Sequence, residues 1–179
     1  MRKLLTVLLL LPALLTAQTA VPKKAATKAK PAAPAVVVAT PDTIQWGPAP
    51  PIFQSGAQFA VIAGDPMKPG PFIVRLKVPD GYRIMPHWHP TTENVTILSG
   101  EFRVGMGDKF DESSMQTLPA GSTAVMPPHH NHYAMAKGET IVQVHGAGPF
   151  KLTYVNAADD PSKGQASATP SKKAAAKKK

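Results

Sequence analysis

The strongest chemical signal in the sequence is a set of three potential metal ligands, His87, His89 and Glu93. Residues two apart on a β-strand point to the same face, so we expect the two imidazoles to converge on one spot. Pro90-Thr91-Thr92 is typical of a turn, after which Glu93 begins the next strand. Two imidazoles and a carboxylate on one face of a sheet form most of a metal site.

A second group of potential ligands follows at His129, His130 and His132. If this segment is extended, His132 shares a face with Ala134 and Ala136. His130 has the same parity, however, so alternation along the strand leaves more than one candidate for a third histidine ligand.

The elements that must position these ligands are short apolar runs separated by Gly, Pro and Asp. Even spacing of this kind predicts an all-β barrel or sandwich, and no core segment has the period of an amphipathic helix. A small barrel of this size leaves one modest pocket at its mouth. The predicted strands are Gln58–Ile62, Phe72–Val78, Asn94–Leu98, Glu101–Met106, Thr123–Met126, Thr140–His145 and Phe150–Val155.

The spacing G-x5-H-x-H-x3-E-x6-G, from Gly81 to Gly100, resembles the first signature of the cupin superfamily at every defined position. The second cupin signature is matched by Gly121, Pro127 and the third histidine of the second group. Two positions depart from it: His129 stands where a glycine is usual, and Ala136 stands where an asparagine is usual. The resemblance covers roughly residues 53–156. Segments such as Asn94–Gly100 and Met106–Phe110 look like those of a group of small exported bacterial cupins without a settled reaction.

This resemblance implies that residues 41–160 form a double-stranded β-helix, the cupin jelly-roll barrel. It also implies one divalent metal ion, with Mn, Fe and Zn as the leading candidates. The implied ligands are His87, His89, Glu93 and His132, with His129 and His130 as nearby competitors for the last position.

Cupin sites of this kind serve dioxygenases, oxalate-handling Mn enzymes, isomerases and non-catalytic sensors, so the resemblance does not choose the reaction. The leading interpretation is a mononuclear metalloenzyme of dioxygenase or oxidase type that acts on a small organic molecule. The alternative is a non-catalytic metal or small-ligand binding module of the cell envelope. We assign no catalytic residue beyond the metal ligands.

The first seventeen residues indicate a secretory signal peptide. Arg2 and Lys3 precede an apolar run, Leu4–Leu15, that is short for a membrane span, and Thr16-Ala17 follows. The alternative is an uncleaved anchor. The absence of cysteine excludes disulfides, zinc–thiolate sites and a lipid-modified N-terminal cysteine. We therefore expect a periplasmic or secreted protein.

The formal net charge of +9 comes from the ends of the chain. Residues 18–40 are rich in Ala, Lys and Pro, and residues 161–179 in Ser, Ala and Lys, which predicts disorder for both. All eleven acidic residues lie between Asp42 and Asp160 with only eight Lys and Arg, so this core has a net charge near −3. We therefore expect no nucleic-acid partner. The tails either contact anionic envelope surfaces or act as solvated spacers.

The expected partners are a small-molecule ligand or substrate and, by likeness to other cupin barrels, a second copy in a homodimer. Thr40–Gln54 carries apolar residues among prolines and could form an arm. Such an arm either packs on a neighbouring copy or covers the edge of its own barrel.

Overall fold

The structure, a computed structural model, describes residues 36–165, and its regular secondary structure is almost entirely β. Short 3-10 helices at Pro41–Thr43, Glu112–Ser114 and Ala157–Asp159 and a single helix, α1 (Pro161–Gln165), complete the described part. The strands are β1 (Gly47–Pro48), β2 (Gln58–Ala63), β3 (Gly70–Val78), β4 (Arg83–Trp88), β5 (Glu93–Met106), β6 (Gln116–Pro119), β7 (Thr123–Met126), β8 (His132–Gly148) and β9 (Thr153–Tyr154).

The predicted terminal segments fall largely outside this range. The signal peptide (1–17), most of the linker (18–40) and residues 166–179 lie outside the described residues. The tail predicted to be disordered from residue 161 begins instead with the short helix α1. Within residues 36–165, no helix has the length and apolar character needed to cross a membrane.

All strand pairs are antiparallel and form one curled sheet, which confirms the prediction of an all-β jelly-roll barrel. The longest strand, β8, organises the sheet because it pairs with β3, β4 and β5. Its first residues lie between β4 and the end of β5, and its later residues lie between β3 and the start of β5. The strand that carries His132 is therefore hydrogen-bonded to both strands that carry the first motif.

The sequence-based strand boundaries were wrong where two predicted strands form one. Asn94–Leu98 and Glu101–Met106 are both part of β5, which continues through Gly100. The pairing register with β8 shifts on both sides of Ser99, and Gly100 has φ +77°. A Cβ at Gly100 would overlap the backbone of Glu139. Glycine thus lets β5 turn a barrel corner without ending, although the same residue ordinarily indicates a turn.

Alternating side chains of the long strands build the core. Phe72, Val74, Leu76 and Val78 of β3 are buried, while the residues between them are only half-buried. The same alternation runs through β5 and β8, as expected for a sheet with one face inside the barrel.

The predicted arm, Thr40–Gln54, contacts its own barrel in this structure. Gly47 and Pro48 pair with β2, and the Trp46 ring lies 4.8 Å from Lys77 Nζ on β3. The first strand therefore covers part of the sheet edge, as one of the two interpretations of this segment predicts.

Candidate metal centre

The four predicted ligands are buried side chains that the barrel brings together. His87 lies in β4, and His89 follows directly after that strand. Glu93 begins β5 and His132 begins β8, where it pairs in register with His87. Their exposed fractions are only 3–8%. Because charged and polar groups are rarely buried without partners, this concentration indicates a specific site.

The ligand atoms lie close enough to share one ion. One ring nitrogen from each of His87, His89 and His132 lies within 4.8 Å of the other two. Glu93 Oε2 is 3.2 Å from His132 Nε2 and 3.6 Å from His89 Nε2. These contacts are ion pairs only while the histidine is protonated, and neither has the geometry of a hydrogen bond.

A main-chain carbonyl fixes the orientation of each imidazole. The carbonyl accepts a hydrogen bond from the Nδ1–H group, so the lone pair of Nε2 is left for the site. This arrangement is typical of metal-binding histidines, because the second bond fixes both tautomer and ring direction. The acceptors are Met85 O for His87 at 2.8 Å, Lys151 O for His89 at 3.0 Å and His130 O for His132 at 2.8 Å.

The unpaired ring nitrogens show that these residues fit a metal ion. His89 Nε2 and His132 Nε2 are fully buried and have no hydrogen-bond partner. A buried nitrogen without a partner is costly, and a coordinated cation removes that cost. The donor set of imidazole and carboxylate without sulfur suits Mn, Fe or Zn.

Burial and mutual charge set the protonation of the cluster. Burial lowers the pKa of His87 to about 3, and the charges of His132 and His89 act in the same direction. Burial also lowers the pKa of His89, against the attraction of Glu93. At Glu93 and His132 burial is the largest influence, but their mutual attraction outweighs it. The pKa of Glu93 is therefore lowered and that of His132 is raised. The carboxylate and two neutral imidazoles are in the form that binds a cation.

The competing histidines of the second group lie elsewhere. His129 and His130 are exposed, and His130 contributes its carbonyl to the orientation of His132 rather than its own ring. The His129 ring packs near Trp88, with 4.8 Å between ring centroids. Within residues 36–165, the buried cluster therefore takes its third histidine from His132.

A cavity of about 510 Å³ opens beside the cluster, and the four side chains form part of its wall. The rest of the wall is almost entirely apolar. Residues 50–54, here called the strap, supply Pro50, Pro51, Ile52 and Phe53 to it. Lys151 and Ser162 are the other residues of the described wall with hydrogen-bonding side chains.

Two tyrosines, the buried Tyr82 and the half-buried Tyr154, attach the strap to the barrel. Tyr82 donates its hydroxyl hydrogen to Gln54 O at 2.8 Å, and Tyr154 donates to Ile52 O at 2.9 Å. Sequence reasoning missed this segment as part of the site. Its signal was the run of prolines with Ile52 and Phe53, which the sequence alone placed in an arm.

Fold and site together define a small jelly-roll barrel with a histidine-rich candidate metal centre on its inner wall. A family model for the cupin domain matches residues 74–146, which include all four candidate ligands. The chain is therefore similar to the cupin family over residues 74–146, and it has the jelly-roll barrel fold that this similarity implies. No curated protein matches the sequence significantly.

The solved structures to which the chain is similar share little sequence with it. The polyketide cyclase RemF from Streptomyces resistomycificus is 11% identical, with a TM-score of 0.60 over 74% of this chain and 94% of that one. KdgF from a Halomonas species is 21% identical, with a TM-score of 0.49 over 64% and 94% of the two chains. An RmlC-like cupin from Shewanella frigidimarina is 17% identical, with a TM-score of 0.48 over 61% and 87%.

Proposed function

We propose that the protein is an exported mononuclear metalloenzyme that oxidises a small organic molecule with dioxygen. One observation carries the proposal: three buried imidazoles, each fixed through Nδ1 to a main-chain carbonyl, converge with a buried carboxylate on the wall of a large cavity. A site built only for stability would not leave two buried ring nitrogens unpaired. Export to the periplasm or outside the cell remains part of the proposal and rests on residues 1–17.

His87, His89, Glu93 and His132 would hold the ion. A bound Fe or Mn ion would supply electron transfer to dioxygen and would polarise a coordinated substrate oxygen. The chain itself supplies ring orientation through the three carbonyls and one negative charge through Glu93. The apolar wall offers water few hydrogen-bonding partners beside the site, and a drier site strengthens the electrostatic interactions inside it.

A non-catalytic binding module is the second candidate, because the wall offers few groups for proton transfer. Beyond the four ligands, the described lining contains only Lys151 and Ser162 with hydrogen-bonding side chains. The Ser162 hydroxyl is engaged with the Asp160 carboxylate. A receptor that holds a metal and an apolar ligand would need no more than this.

Elemental analysis of the protein exported to its native compartment tests the proposal. We expect close to one equivalent of Fe or Mn per chain in the wild type and its loss in His87→Ala and His132→Ala. The matched control is His130→Ala, since His130 is exposed and contributes only a main-chain carbonyl to the site. It should retain the metal.

Dioxygen consumption with a panel of phenols and small acids then separates the two candidates. Substrate-dependent consumption by the metal-loaded protein supports the enzyme. Tight Zn with no consumption favours the binding module. A wild-type protein that carries no metal and takes none up refutes both interpretations.

A further inference from the structure

Most of the phenylalanine side chains of this protein line the cavity beside the candidate metal centre. The sequence contains six phenylalanines, and five of them line the cavity. The remaining one, Phe110, packs instead on Tyr133, with 5.1 Å between centroids. The five that line the cavity come from the strap, β2, β3, β5 and the segment before β9: they are Phe53, Phe59, Phe72, Phe102 and Phe150.

These rings form contacts that extend to the ligands themselves. Phe72 and Phe150 lie 5.0 Å apart between centroids. Phe150 stacks on His89, with centroids 4.2 Å apart and planes inclined by only 14°. On the strap side, Phe53 and Phe59 are 6.5 Å apart. A molecule that enters the cavity meets flat aromatic faces and edges as it approaches the imidazoles.

The polar groups of this cavity are concentrated at the histidine cluster. Elsewhere the described lining consists of aliphatic and aromatic side chains, prolines and two methionines, with Lys151 and Ser162 as the exceptions. A sugar or a small polyacid would lose its hydrogen bonds to water over most of this wall without replacing them. An aromatic body would instead bury its surface against phenylalanine rings, which favour stacked or edge-on neighbours.

We infer that the substrate of this site is an aromatic molecule with two adjacent oxygen donors at one end, such as an ortho-diol. The inference rests on the proposed metal site, because the paired oxygens would bind at the positions that four protein ligands leave open on a six-coordinate ion. The aromatic body lies along the phenylalanine wall under the strap. The volume of about 510 Å³ falls within the usual range of about 300–1,000 Å³ for small-molecule pockets.

Calorimetric titration of the zinc-loaded protein tests the inference without any turnover. The probes are naphthalene-2,3-diol, which combines the aromatic body with the paired oxygens, and oxalate, which offers paired oxygens alone. Zinc content is measured on the same sample. We expect naphthalene-2,3-diol to bind at least about tenfold more tightly than oxalate, with a negative heat-capacity change from apolar burial.

Two substitutions on β8 supply the matched controls. Ala134 is 4% exposed and lines the cavity, whereas Ala147 is exposed on the same strand. Ala134→Leu fills the cavity and should weaken naphthalene-2,3-diol by about tenfold or more, with zinc content unchanged. Ala147→Leu should change neither.

The possible failures are distinguishable. If the zinc-loaded protein binds oxalate as tightly as naphthalene-2,3-diol, or if Ala134→Leu leaves the diol affinity unchanged, the aromatic assignment is overturned while the metal site stands. If the protein takes up neither zinc nor iron nor manganese, the proposed function fails. Naphthalene itself then tests the wall: binding to the wild type but not to Ala134→Leu supports the aromatic cavity, and no binding to either overturns it.

Discussion

Replacing Tyr82 by phenylalanine removes one hydroxyl that holds the strap over the cavity. Tyr82 is 6% exposed and donates to Gln54 O at 2.8 Å. Gln54 is exposed, so water can reach its carbonyl once the hydroxyl is gone. The loss should therefore cost about 1 kcal/mol of unfolding free energy near neutral pH, the usual net value of one hydrogen bond.

Alkaline pH should reverse this deficit. Burial raises the pKa of Tyr82 from 10.0 to about 12, against the opposing hydrogen bond to Gln54. Because the folded-state pKa lies above the unfolded value, this contribution to stability is fully present below pH 10 and is lost as the pH rises toward 12. At pH 11 the unfolding free energy of the wild type should have fallen by up to about 1.4 kcal/mol, because Tyr82 ionises more readily in the unfolded chain. The phenylalanine variant has no group to ionise at this position and does not undergo this loss.

Urea denaturation of both proteins, followed by circular dichroism at pH 8 and pH 11, measures the two effects. The difference between the proteins reports on Tyr82 and on its effect on Tyr154, whose pKa the Tyr82 charge helps to raise, because every other tyrosine and lysine is common to both. We expect a deficit of about 1 kcal/mol for Tyr82→Phe at pH 8 and none at about pH 11. A deficit that is unchanged or larger at pH 11 would refute the account of a buried, neutral tyrosine.

Substitutions at three further positions, Gly105, Gly47 and His129, test constraints on the backbone. Gly105→Ala places a Cβ against the fully buried ring of Tyr133, and we expect a loss of about 1–3 kcal/mol in urea denaturation. Gly47→Ala, where the nearest atom is 4.0 Å away, should be neutral or slightly stabilising, and equal effects of the two changes would contradict the packing argument. His129 has φ 60°, in the left-handed region, so His129→Gly should be more stable than His129→Ala by about 1 kcal/mol. An alanine variant as stable as the glycine variant would show that this backbone is unstrained.

Spacing along the sequence correctly predicted which side chains face the site wherever a single strand determines their direction. His87 and His89 share a face because they are two residues apart, and Glu93 is the inward-facing first residue of β5, as expected. Alternation along the strand did not decide which histidine of the second group faces inward, because His130 and His132 are two residues apart and would share one face. The structure separates them because β8 begins at His132, whose backbone pairs with His87.

The cavity could not be predicted because its wall comes from segments far apart in sequence. Phe53 of the strap and Phe150 near β9 lie almost a hundred residues apart, yet both line it. No local pattern relates them, since each residue is apolar and could equally fill a solid core. The carbonyl of Lys151, which orients His89, was missed for the same reason, because any residue type has a carbonyl there.

His129, which departs from the second cupin signature, relates the local sequence pattern to the tertiary structure. The second cupin signature usually has a glycine at this position, and the structure shows why: the backbone there has a positive φ of 60°. The His129 amide donates to His89 O at 2.8 Å, so this strained turn ties the segment before β8 to the residue that follows β4. This main-chain hydrogen bond therefore holds the segment that carries His132 against the segment that carries His87 and His89. The missing glycine thus costs backbone strain but leaves His132 in its place, because the position requires a conformation rather than a side chain.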